Sequence, residues 1–76
     1  MEPLKLTVTF HEGAWKMRIG DRLSRPFLSE RDAISAAIRH AHDLGKQGYE
    51  TQVVMKAMTC YYGPDGLVRA LPTPRE

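Results

Sequence analysis

Hydrophobic residues change their spacing at Ser29. Before it they alternate with polar ones: Leu4, Leu6, Val8 and Phe10, then Trp15, Met17 and Ile19. After it Ile34, Ala37, Ile38, Ala41 and Leu44 recur at helical intervals. A period of two followed by one near 3.6 predicts a hairpin and then a helix laid over it. The hairpin register follows from the pattern. With His11-Glu12-Gly13-Ala14 as the loop, Phe10 faces Trp15, Val8 faces Met17 and Leu6 faces Ile19, so every large apolar side chain falls on one face. The other face then pairs Thr9 with Lys16 and Thr7 with Arg18, with Lys5 near its end.

Gly20-Asp21 turns the chain, and residues 22–28 predict a short third strand that Pro26 confines to an edge. Ser29 is a strong N-cap, Asp32 is placed to complete a capping box, and Leu28 with Ala33 fits a hydrophobic staple. Gly45 and Gly48 both offer a helix stop. Beyond them Thr51 to Met58 reads as one strand with Val53 and Met55 inward. Gly63-Pro64-Asp65-Gly66 is a turn that returns Leu67 to Leu71 as a last strand. The fold class is therefore α+β: a small antiparallel sheet of three to five strands packed against a single helix, in the order ββ(β)αββ. Phe10, Trp15, Met17, Ile34, Ile38, Ala41 and Val53 form the expected core. Residues 1–71 make one domain and 72–76 a flexible C-terminal tail.

Length bounds what such a fold can do. At 76 residues there is room for one core, and a chain this short buries only about 60% of the surface it exposes unfolded. Its single cysteine, Cys60, excludes an internal disulfide, so added stability is expected from pairing with a second copy. No apolar run approaches the ~20 residues of a membrane span. The start of the chain lacks the basic and apolar stretches of a signal peptide, which with the lone thiol points to the cytoplasm and away from membranes.

The histidines do not assemble a metal site. His40 and His42 are two apart on a helix and point about 200° apart, His11 lies in the hairpin loop, and Cys60 has no second thiol nearby. Neither a nucleophile elbow nor a phosphate-cradling glycine loop is present, and a domain this small struggles to enclose a pocket of ~300 Å³. The expectation is a protein that is no enzyme and carries no cofactor. Tyr61-Tyr62 at the last turn should split, one inward and one outward, leaving the outer ring free for a protein interface.

Charge adds a second candidate. The net +2 is carried entirely by residues 1–28, where Lys5, Lys16, Arg18, Arg22 and Arg25 outweigh Glu2, Glu12 and Asp21. A basic sheet face can lie against a phosphate backbone. An ordinary solvated face would also look like this, and no aromatic is expected among these cations to stack on a base. The function read from sequence is thus a non-enzymatic binding module, through protein–protein interaction or self-association. Weak nucleic-acid binding or antitoxin-like regulation by the basic face is the alternative.

Two resemblances accompany this reading. The run Trp15-x-Met17 followed by Phe27-x-Ser29-x-x-Asp32-Ala33-Ile34-x-x-Ala37 resembles the domain of unknown function 2188 family of small bacterial proteins. The Asp65-Gly66 turn is similar to that family's closing hairpin, while Ala14 stands where the family has glycine. The family has no established activity, so this likeness implies a fold and not a function. Glu12-Gly13-x-Trp15 and Ser29-Glu30-Arg31-Asp32-Ala33 also look like HicB-type antitoxins, whose partial double-stranded-RNA-binding fold runs strand, strand, strand, helix, strand.

Overall fold

A computed structural model describes residues 3–73. The alternating N-terminal segment forms β1 (Leu4–His11) and β2 (Ala14–Ile19), antiparallel, with Leu6, Val8 and Phe10 opposite Ile19, Met17 and Trp15. That is the register the alternation predicts. The loop is tighter than expected, since His11 and Ala14 pair and only Glu12 and Gly13 turn the chain. Both have positive φ, 52° and 79°, the two left-handed residues of a type I′ turn.

The expected third strand over 22–28 is reduced to β3 (Arg22–Leu23) and one bridge from Trp15 to Phe27. Ser24 explains the interruption. Its hydroxyl, not a backbone carbonyl, accepts the Met17 N–H at 2.9 Å, and Pro26 has no N–H to offer. The edge of β2 is thereby closed by side-chain and irregular backbone contacts.

Helix α1 (Glu30–Lys46) starts as its sequence dictates: Ser29 is extended and its Oγ accepts the Asp32 N–H at 3.1 Å. The hydrophobic staple does not form, because Leu28 is 99% exposed. At the other end Gly48 (φ 92°) and Tyr49 donate to the carbonyls of Gly45 and Leu44, a Schellman stop. Gly45 is therefore no cap but part of the buried stripe, which runs Ala33, Ala37, Ala41 and Gly45. The expected isoleucines, Ile34 and Ile38, flank that stripe half-buried. Small residues let the helix lie close to the sheet; a Cβ on Gly45 would sit 2.5 Å from the Gly63 carbonyl oxygen.

After the helix come β4 (Thr51–Val54), β5 (Met58–Gly63) and β6 (Gly66–Pro72). The sheet has six strands in the order β3-β2-β1-β4-β5-β6, two layers with α1 across β2, β1, β4 and β5. It is mixed rather than wholly antiparallel, because β1 and β4 run parallel at its centre. The helix carries the chain back along the sheet, so β4 enters from the same end as β1. The segment expected as one strand over 51–58 breaks at residues 55–57, where Met55 N–H donates to the Met58 carbonyl at 2.9 Å.

The buried core comprises Leu6, Val8, Met17, Ala33, Ala37, Ala41, Val53, Cys60 and Tyr62. Phe10, expected within it, is 59% exposed at the hairpin tip and meets Trp15 edge to face at 5.3 Å. Pro72 and Thr73, expected in the tail, belong to the fold. Pro72 closes β6, and the Thr73 hydroxyl donates to the Met55 carbonyl at 2.7 Å while pairing with Thr59 Oγ1 at 2.9 Å. Residues 74–76 lie outside the described residues.

Candidate functional site

The strands decide what each sheet face offers. Leu6, Val8, Met17, Val53, Cys60 and Tyr62 point at α1. The registers then assign the opposite, outer face to Lys5, Thr7 and Thr9 of β1, Lys16 and Arg18 of β2, Gln52 and Val54 of β4, Thr59 and Tyr61 of β5, and Arg69 and Leu71 of β6. Among the described residues no helix lies on this side.

Of the five cations picked out by the sequence, Lys5, Lys16 and Arg18 share the outer face. Arg22 is paired with Ile19 and so belongs to the helix side of the edge. Arg25 follows β3 in the exposed connection to the helix. The five do not form one surface. The missing complement comes from the other end of the chain: Lys5, Gln52, Tyr61 and Arg69 are successive neighbours across β1, β4, β5 and β6. That row adds an aromatic, Tyr61, two strands away from Lys5 on the same face, beside a further cation, Arg69.

The two tyrosines split as expected. Tyr62 is buried, edge to face with His42 at 5.1 Å. Burial, and secondarily the neighbouring Cys60, pushes its hydroxyl above the ordinary tyrosine pKa of 10.0. Tyr61 is half-buried on the outer face, with the Arg69 guanidinium 5.6 Å from its ring centroid. Beside it opens a hollow of about 200 Å³ between Pro3, Glu50, Tyr61, Gly63, Val68 and Arg69. A β-bulge next to Tyr61 and Tyr62 brings this about: Tyr61 opposes Arg69 while Tyr62 opposes Leu67, leaving Val68 as the extra residue. Thr51, at the start of β4, is buried with its hydroxyl unpaired.

A third feature is the free edge of β6. Every residue from Leu67 to Pro72 is exposed, including Leu67 (58%), Val68 (67%) and Leu71 (44%). Met58 adds a further exposed apolar side chain next to it, opposite Pro72.

Elsewhere the chemistry-bearing side chains stay apart. His11 Nε2 contacts Glu12 Oε1 at 2.9 Å, His40 is exposed on α1, and Cys60 is buried in the core. Among the described residues no three of histidine, cysteine, aspartate and glutamate converge to hold a metal ion, and no helix is long and apolar enough to cross a membrane. Neither a family model, nor a curated protein, nor a solved structure matches this chain.

Proposed function

We propose that this chain is a small non-enzymatic binding module that associates with a second copy of itself through the free edge of β6. One observation carries the reading: a seven-residue edge strand with its apolar side chains in solvent. Free edges of this kind pair with other strands unless they are short, bulged, charged or covered. The opposite edge has those protections, since β3 has two residues followed by Ser24 and Pro26. β6 has one charge, Arg69, and a bulge near its start. Antiparallel pairing of two β6 strands would satisfy the outward backbone groups and bury Leu67, Val68 and Leu71 against their copies. Registers that set Arg69 opposite its own copy are disfavoured by like-charge repulsion, which selects a staggered pairing. A small core with little reserve gains most from such an arrangement.

The likeness to the domain of unknown function 2188 family belongs to this proposal too, supported by the Trp15 hairpin and the Ser29-capped helix. A lone thiol suits a reducing compartment, which supports a cytoplasmic setting. The test is the molar mass by light scattering across a concentration series. The wild-type protein should move from monomer to dimer mass, and Val68→Lys should stay monomeric with an unchanged far-ultraviolet circular dichroism spectrum. A wild-type protein that remains monomeric at the highest concentrations would sink the reading.

A further inference from the structure

We infer that the outer face of the sheet binds single-stranded nucleic acid, with Tyr61 and Arg69 receiving a base and Lys5, Lys16 and Arg18 contacting phosphates.

The inference starts from how charge is distributed among the elements. Among the described residues no strand contains an aspartate or a glutamate, yet the strands carry Lys5, Lys16, Arg18, Arg22 and Arg69. The carboxylates of the described residues sit in turns, connections and the helix, where Glu30, Asp32 and Asp43 balance Arg31, Arg39 and Lys46. Four of the five strand cations belong to the outer face. Thr7 and Thr9 lie between them with hydroxyls able to donate. A surface with several cations and no carboxylate on its strands complements a polyanion of regularly spaced charges.

What distinguishes nucleic acid from any other polyanion is the planar pair at one end of that surface. From Arg18 on β2 to Arg69 on β6 the face crosses four strand spacings, about 19 Å. Its β6 end presents the Tyr61 ring and the Arg69 guanidinium, both groups on which bases stack. The adjoining hollow of about 200 Å³ is below the ~300 Å³ of ordinary ligand pockets, which suits one inserted ring rather than a whole small molecule. Glu50 at its rim is an acceptor for a base amino group and repels phosphate, so it favours the base at this end and the backbone toward Lys5. A base can reach Tyr61 only when it is unstacked, which selects single strands over duplexes.

The experiment is fluorescence anisotropy with a labelled mixed-sequence strand of roughly 12 nucleotides, as RNA and as DNA. A duplex of the same sequence and a labelled polyglutamate serve as comparisons. Three phosphate contacts imply that affinity for the single strand falls about twentyfold between ~50 and ~200 mM salt. Lys16→Glu with Arg18→Glu should weaken binding at least tenfold. Tyr61→Ala should weaken it by a similar factor, whereas Tyr61→Phe keeps the ring and retains affinity. Amide spectra of each variant establish that the fold is intact. The inference is overturned by absence of saturable binding at low salt, by equal affinity for duplex or polyglutamate, or by Tyr61→Ala binding like wild type. Lys16 and Arg18 lie on β2, away from β6, so their loss of binding with dimer mass retained separates this site from the edge.

Discussion

Tyr62 shows how one residue ties the helix, the sheet and pH together. Its ring fills the core against His42, and its hydroxyl ionises only above the ordinary tyrosine value of 10.0 because burial opposes the charged form. In the unfolded chain the same hydroxyl ionises near that ordinary value. Raised in the folded state, the group contributes stability that is fully present below the unfolded pKa and lost as pH rises through the folded one. Chemical denaturation should therefore show a loss of stability above about pH 10 that is smaller in Tyr62→Phe. An identical alkaline slope in the two proteins would show that Tyr62 is not the group responsible. Tyr61, one position along, faces the other way, onto the outer side of the sheet. Alternation alone announces that the two differ. Which is buried depends on how β5 pairs with β4, a long-range fact.

At the scale of elements, α1 rests on β5 through Gly45. Alanine is the better helix former by about 1 kcal/mol, so on propensity alone Gly45→Ala would stabilise the protein. The contact decides otherwise. The new Cβ would lie 2.5 Å from the Gly63 carbonyl oxygen, and backbone on a sheet does not yield as a flexible side chain does. Overpacking of this kind costs about 1–3 kcal/mol, enough to outweigh the propensity gain at the upper part of that range. Thermal unfolding should place Gly45→Ala below wild type, at roughly 4–8 °C per kcal/mol of net loss for a domain this size. The sequence shows Gly45 as a possible helix stop and Gly63 as part of a turn but is silent on their contact, because nothing local brings the two together. The same divide runs through the fold. The β1–β2 register is legible because two alternating strands and a short turn leave one solution, and the Ser29 start is legible because capping is local. Residues 51–62 contain no glycine or proline to mark the break after Val54, so β4 and β5 merge when read locally. Parallel pairing of β1 with β4 and exposure of Phe10 beyond the helix are equally non-local. For the site, Lys5, Lys16 and Arg18 are found by alternation within one hairpin. Arg69 and Tyr61 join them only through three further strand pairings.

On the scale of the whole molecule the two proposed surfaces share a geometry. An antiparallel dimer across β6 has its two-fold axis perpendicular to the sheet, so both outer faces look the same way. The Tyr61–Arg69 ends of the two faces would then be neighbours at the dimer centre, with Lys16 and Arg18 of each copy at the far ends. A strand long enough to cross the dyad meets both sites, and the second contact becomes intramolecular. This arrangement leads to an expectation that neither surface gives alone. Lengthening the oligonucleotide until it spans two copies should raise wild-type affinity by about 10²-fold or more. A Leu67→Lys variant, charged at the same edge but opposite the inward-facing Tyr62 and outside the hollow, should stay monomeric and gain little from the added length while keeping the wild-type affinity for the short strand. Anisotropy titrations with short and long strands on both proteins supply the comparison. Equal length dependence in the two would mean that the edge and the face work separately, even if each is real.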